Sequence, residues 1–240
     1  MTTFPHPNND MDFYRQEPRM HVAVDSIIFG FNENDYELKL LLLKRNFEPA
    51  KGQWSLMGGF VTLEESLDDA AQRILSNLTG LDDVYMEQLY AFGDPRRDPG
   101  GRIISVAYFS LIKINEYDKE LVKKNGAWWV PLSELPELIF DHNDMVAKAL
   151  RKLRIRARTQ PIGFELLPEK FTIPQLQRLY EAIYQKPFDK RNFRRKVLTM
   201  GLLDKLEEKE KETSKKGAYY YQFNTTKYEE LLRRGFNFEL

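Results

Sequence analysis

Cysteine is absent from all 240 residues, which excludes disulfides, thiolate metal sites and a cysteine nucleophile together. Histidine is scarce, with three in the chain, and none stands at a zinc spacing such as H-E-x-x-H. No apolar run nears the roughly 20 residues of a membrane span. The N-terminus carries Pro, Asn and Asp, with no basic-then-apolar leader. These absences predict a cytoplasmic chain with no membrane contact, no metal and no bound cofactor. Net charge is missing too, since 36 Lys and Arg balance 36 Asp and Glu. A neutral total still leaves room for a local basic stripe, which is all a phosphate backbone needs.

What is present starts with strand-like runs. His21 to Phe29 and Leu38 to Lys44 are aliphatic and are separated by a turn cluster, Asn32-Glu-Asn-Asp35. Trp54 to Phe60, Met86 to Phe92, Arg102 to Ile112 and Ala127 to Leu132 read as further strands. Two helices join them, one from about Leu63 to Thr79 and one from about Asn143 to Arg156. In the first, Leu67, Ala70, Ala71, Ile74, Leu75 and Leu78 form an apolar stripe.

That helix carries a patterned segment. Gly59, Glu65, Arg73, Leu75, Gly80 and Leu81 fall in register with G-x5-E-x7-R-E-U-x-E-E-x-G-U, where U is aliphatic, and Trp54-Ser-Leu-Met-Gly-Gly59 precedes them. The segment resembles the Nudix box, with Met57 where the usual lead-in has proline. The box's three further carboxylates are gone, and Ile74, Asn77 and Leu78 stand in their places. Positions spaced i, i+3, i+4 share one helix face. In Nudix hydrolases that face holds the divalent metal. A hard cation needs several oxygen ligands, which two aliphatic side chains and an amide do not supply. The resemblance therefore implies the Nudix scaffold without its metal chemistry.

Residues 158–168 have no period and contain Pro161 and Pro168, as a linker should. Beyond them, Thr172-Ile-Pro-Gln175 resembles a capping box. Leu176, Leu179, Tyr180, Ile183 and Tyr184 make the stripe of a core-facing helix. Asp189 is a fair N-cap for a second helix, to about Met200. Its basic residues are Lys190, Arg191, Arg194, Arg195 and Lys196. In projection Phe193, Val197 and Met200 gather on one side, Arg191 and Arg195 lie opposite, and Asn192, Arg194 and Thr199 flank them. An apolar back with an Arg/Asn/Thr front suits the DNA major groove, although a basic face can also simply be solvated. A polar loop, Glu207 to Lys216, and an aromatic strand, Gly217 to Asn224, follow in the layout of a winged helix. Lys215 and Lys216 would sit at the wing tip, where phosphates can be met. The expected architecture is α+β: a Nudix-like α/β/α sandwich over 1–157 with an N-terminal arm, a linker at 158–168, and a C-terminal winged helix-turn-helix domain over 169–240.

The two halves together, and Asp189-Lys-Arg-Asn-Phe-Arg-Arg-Lys196 in particular, resemble the Nudix-related transcriptional regulators of the NrtR family. The resemblance implies a homodimeric repressor whose Nudix domain senses a small molecule and whose winged helices hold the half-sites of a pseudo-palindromic operator. Many members sense ADP-ribose or related NAD metabolites. A branch that includes the arabinose regulator AraR senses a sugar and has lost its catalytic glutamates. The altered box resembles that branch, so the expected effector is a sugar, L-arabinose. The cleft of a Nudix fold then points to Arg45, Trp54, Glu64, Glu65, Asp94 and Tyr108 as effector-binding residues, with Glu65 equally suited to bracing the Gly58-Gly59 loop. Three alternatives remain. An ADP-ribose sensor would use cations such as Arg45, Arg73, Arg96 and Arg97. A hydrolase would need unorthodox carboxylates among Glu64, Glu65, Asp68 and Asp69. A third, a module whose basic helix binds an acidic protein, is separated from DNA binding by sequence specificity.

Overall fold

The computed structural model describes residues 16–211, 217–236 and 238–239. Phe13, Tyr14 and Arg15 of the expected arm, and Lys215 and Lys216 of the expected wing tip, lie outside the described residues. In chain order the N-terminal part comprises β1 (His21–Asn32), β2 (Glu37–Lys44), β3 (Trp54–Ser55), β4 (Met57–Phe60), α1 (Leu67–Thr79), β5 (Glu87–Phe92), β6 (Ile103–Lys113), α2 (Glu116–Lys124), β7 (Ala127–Pro131) and α3 (His142–Thr159). The C-terminal part comprises β8 (Phe171–Thr172), α4 (Ile173–Tyr184), α5 (Lys190–Thr199), β9 (Leu203–Glu210), β10 (Ala218–Phe223) and α6 (Thr225–Arg233).

Strand β1 organises the larger sheet. It runs parallel to β6 and antiparallel to β2 at one end and to β4 at the other. Every residue from Ala23 to Asn32 is buried, which is why this stretch is largely apolar without alternating, broken by the buried polar Asp25, Ser26 and Asn32. On one face, Ile28, Leu41 and Met57 meet Leu75 of α1 and Val122 of α2. On the other, Ile27, Phe29, Leu40 and Leu42 share a core with Met145, Val146, Ala149 and Leu153 of α3. An α/β/α sandwich results, as the resemblance implies, with α1 and α2 on one side and α3 on the other.

Helix α1 starts later than its sequence suggests. Ser66 Oγ accepts from the Asp69 N–H at 3.2 Å and Asp69 Oδ2 accepts from the Ser66 N–H at 3.3 Å, so a capping box sets the boundary at Leu67. Leu63 is left outside it, 99% exposed. Helix α2 lies in a stretch whose sequence showed no element, because it is so charged (EYDKELVKK) that its apolar contact is hard to read. Helix α6 was equally unexpected. Strand β9 continues to Glu210, through residues that read as loop from Glu207.

The expected linker is not a free tether. Helix α3 extends through Thr159 into it, and beyond that Leu166 and Leu167 are buried while Phe164 stacks on Phe223 at 4.5 Å. The winged helix packs Leu176, Leu179, Tyr180 and Ile183 of α4 against Phe193, Val197 and Tyr221, beside a sheet in the order β8-β10-β9. This core is continuous with the α3 side of the sandwich. Polar contacts reinforce the junction: Arg154 Nε donates to the Ile183 carbonyl at 3.2 Å, and Tyr184 Oη donates to the Arg154 carbonyl at 3.0 Å. Among the described residues, no helix is long and apolar enough to cross a membrane.

One glycine of β1 is required by packing. A Cβ at Gly30 would lie 2.5 Å from both Ile114 Cγ1 and Trp129 Cζ3. Gly30→Ala should destabilise the protein by about 1–3 kcal/mol through overpacking. The check is the urea midpoint, which should fall at unchanged slope.

Candidate functional site

Where β1 and β4 meet the loop 45–53 and the start of α3, a cleft opens. Its cavity volume is about 200 Å³. Its floor is polar and deeply buried. Asp25 interrupts a largely apolar strand, and its Oδ2 accepts from Ser105 Oγ at 2.5 Å, with Arg97 Nη2 at 3.7 Å. Arg97 is itself tied to Asp141 by two hydrogen bonds of 2.8 and 2.7 Å. Burial opposes its charge, but the bonds to Asp141 and the nearby Asp25 outweigh that and raise its pKa. His142 Nδ1 accepts from the Leu56 N–H at 3.2 Å, which leaves Nε2 as the protonated nitrogen, 3.7 Å from Asp25 Oδ1. Burial lowers the pKa of His142, with Asp25 acting against it. Gly58 makes this floor possible, since a Cβ there would fall 2.1 Å from Asp25 Oδ1.

The rim is cationic and aromatic. Arg45 Nε donates to the Phe47 carbonyl at 3.2 Å, and the guanidinium lies 3.8 Å from the Phe47 ring centroid and 5.6 Å from that of Phe140. Its terminal amino groups meet no hydrogen-bond acceptor among the described residues. Burial lowers its pKa, with Asp98, Asp25 and Glu48 opposing. Lys44, Asp98, Phe60 and Leu78 are also among the lining residues.

Of the effector residues expected from the sequence, only Arg45 lines this cleft. Trp54 is set in the sheet and packs edge-on against Trp128 at 5.4 Å. Glu64 is exposed outside the cleft. Asp94 caps a turn, accepting from the Arg96 N–H at 2.8 Å, and borders a neighbouring open groove. Tyr108 lies beneath α1, 1% exposed, donating to Asp68 Oδ1 at 2.5 Å and accepting from Gln88 Nε2 at 3.0 Å. Burial and Asp68 push its pKa up to about 12. Glu65 takes the bracing role. Its carboxylate receives Arg73 Nε at 2.8 Å, Arg73 Nη2 at 2.6 Å and the Thr62 N–H at 2.7 Å, while Arg73 also donates to the Phe60 carbonyl at 3.0 Å. The bonds from Arg73 and Thr62 hold its pKa down to about 2. A carboxylate so occupied has little capacity left for ligand hydroxyls.

The sequence reading missed Lys44, Asp25, His142, Phe47, Phe60 and Phe140. Asp25 had a signal, a lone carboxylate inside an apolar strand, which must find partners when buried. His142 and the three phenylalanines had none, because only the folded chain gathers them.

The positions of a Nudix metal site do not fit a metal here. Ile74 is buried, with its Cδ1 only 2.9 Å from where a Cβ on Gly59 would lie, Asn77 is exposed, and Leu78 faces the cleft. Three of the four remaining carboxylates are taken, since Asp69 caps α1, Asp68 holds Tyr108 and Glu65 holds Arg73, while Glu64 is exposed outside the cleft. Among the described residues no cluster of three or more His, Asp or Glu is placed to hold an ion.

The second candidate surface is α5. Asp189 caps it, accepting from the Asn192 N–H at 2.8 Å. Phe193 and Val197 are buried, whereas Lys190, Arg191, Asn192, Arg194, Arg195 and Thr199 are all exposed, as the projection requires. The front is partly pre-ordered: Arg195 Nη2 donates to Asn192 Oδ1 at 3.2 Å, and Arg194 Nη2 lies 3.5 Å from Tyr221 Oη. Five donors on a planar guanidinium let such residues read guanine or clamp phosphate.

Comparison with known proteins agrees with this division. Residues 19–153 match the model of the NUDIX domain, and residues 163–223 match that of the NrtR DNA-binding winged helix domain. The chain is 33% identical over 216 residues to a protein of Acinetobacter baylyi named "ADPR responsive transcriptional repressor NtrR", covering 88% of this chain and 85% of the relative. It is 35% identical over 142 residues to an ADP-ribose pyrophosphatase of Methanocaldococcus jannaschii, covering 59% of this chain and 80% of that one. Its structure resembles that of Shewanella oneidensis NrtR complexed with a 27mer DNA, at a TM-score of 0.68 and 31% identity, over 84% of this chain and 93% of that one. Nudix sandwich and winged helix thus occur here in one chain, in the same order and over nearly its full length, and the chain belongs to the NrtR family of Nudix-related transcriptional regulators.

Proposed function

We propose that this chain is a DNA-binding repressor whose Nudix domain holds ADP-ribose without hydrolysing it, and that the bound nucleotide releases the operator. The observation that carries the effector reading is Arg45. A guanidinium held against Phe47, with its outer donors unpaired, suits a diphosphate and is wasted on a neutral pentose. Of the cations named for an ADP-ribose sensor, Arg73 is spent on Glu65, Arg97 on Asp141, and Arg96 points into solvent, its side chain 92% exposed. Arg45 and the neighbouring Lys44 remain at the cleft. The names of the Acinetobacter and Methanocaldococcus relatives favour the same ligand, and L-arabinose finds no support in either. Loss of the box carboxylates, with Leu78 in the cleft, supports binding without turnover.

Release follows from linkage. An effector that prefers the DNA-free arrangement weakens DNA binding by its own coupling factor. Helix α3 is the element that both sites share: His142 at its start floors the cleft, and Arg154 near its end bonds to α4. On DNA we infer a homodimer whose two α5 helices enter successive major grooves, which requires a pseudo-palindromic operator.

Calorimetry should show saturable ADP-ribose binding, unchanged by EDTA, with no heat from L-arabinose and no hydrolysis in Mg²⁺ or Mn²⁺. Arg45→Ala should weaken binding by about tenfold or more, the cost of one charge-assisted contact. Arabinose binding in the absence of any ADP-ribose response would return the sugar reading.

On duplexes selected from random DNA by the wild-type protein, the double variant Arg191→Ala, Arg195→Ala should lose specific binding while keeping ADP-ribose affinity and the oligomeric state. Dissociation of the oligomer instead would show that these arginines support the assembly.

A further inference from the structure

Exposed phenylalanines are ordinary when scattered singly, but here they converge. Phe47 is 54% exposed and Phe60 is 52% exposed. They come from different elements, the loop 45–53 and the end of β4, and both line the mouth of the one cleft that holds the unpaired Arg45. Neither has been drawn into the core. Phe60 only leans on His21, with ring centroids 5.3 Å apart and the planes tilted by 52°. Its backbone, by contrast, is firmly placed by pairing with Ala23 and by Arg73 donating to its carbonyl. The result is an apolar ring on a rigid mount, open to the cleft and not satisfied by the protein itself.

A diphosphate does not need such a ring, and neither does a ribose, which wants hydrogen-bonding groups. A planar nucleobase does, because base–aromatic stacking buries both faces without demanding a particular hydrogen-bond pattern. We propose that Phe60, with Phe47 beside it, is the platform on which the cleft stacks the base of its nucleotide ligand, and that this platform rather than the cationic rim makes the site selective for a nucleoside diphosphate sugar over a phosphosugar. The inference rests on the ADP-ribose reading and adds to it the residues that read the base. Phe60 is the cleaner probe, because Phe47 also stacks on Arg45.

The test is calorimetry of ADP-ribose against wild type, Phe60→Ala and Phe60→Trp, with the thermal midpoint of each variant recorded. Phe60→Ala should weaken binding by about tenfold, the effect of losing one stack. Phe60→Trp should restore or exceed wild-type affinity, since a larger π face stacks at least as well. If Phe60→Ala binds like wild type, no base rests on this ring and the platform is refuted. Equal weakening in Phe60→Ala and Phe60→Trp would overturn it as well, because a ring that merely shapes the mouth is not rescued by a larger one. A wild type that binds no ADP-ribose removes the parent reading, and this one with it. A wild type that binds while Phe60→Ala is unaffected removes the platform alone.

Discussion

Helix α3 is the constraint on which the two halves of this protein depend. Its apolar face is the wall of a core that begins under β1 and β2 and continues without a gap into the winged helix. Its first turn carries His142 and follows Asp141, the partner of Arg97, so the helix start is bolted to the cleft floor. Near its far end the Arg154 side chain and carbonyl both bond to α4. An 18-residue helix spans about 27 Å at 1.5 Å per residue. The same helix thus joins the cleft floor to the winged helix through one close-packed core.

The altered Nudix box keeps the residues that shape the scaffold and lacks the three carboxylates of its metal face. Gly58 and Gly59 still let the backbone approach Asp25 and Ile74, and Glu65 and Arg73 still clamp the loop ahead of α1. Those residues serve geometry. The three positions that would have served a metal have diverged: one is buried under β4, one is in solvent, and one lines the cleft. At the cleft itself Lys44, Arg45 and Arg97 stand with Asp25 and Asp98, so its field is set by a mixed group of charges.

At the other end, α5 is built so that its front is free. Phe193 and Val197 anchor its back, Asp189 caps its start, and none of its basic residues is used in a salt bridge among the described residues. A basic surface whose described residues form no salt bridge keeps its charge available to phosphates, where release of condensed counterions drives binding.

The sequence alone determined the domain order, the apolar faces of α1, α4 and α5, the loss of the metal ligands and the exposed arginine front. Each of these depends on spacing within a short segment, which helical or strand periodicity makes legible. It could not reveal helices α2 and α6, whose charged composition hides a narrow apolar contact, nor the plug formed by Phe164, Leu166 and Leu167 in a stretch that reads as linker. The composition of the cleft was decided only by tertiary structure. Asp25, Arg45, Phe60, Arg97 and His142 are far apart in the chain and meet because β1, β4, the loop 45–53 and α3 converge. Tertiary structure also assigned Glu65 to Arg73 and Tyr108 to Asp68, removing from the cleft residues that the box had placed near it. A side chain's partner is set by which surfaces the whole core brings together, and no local pattern encodes that.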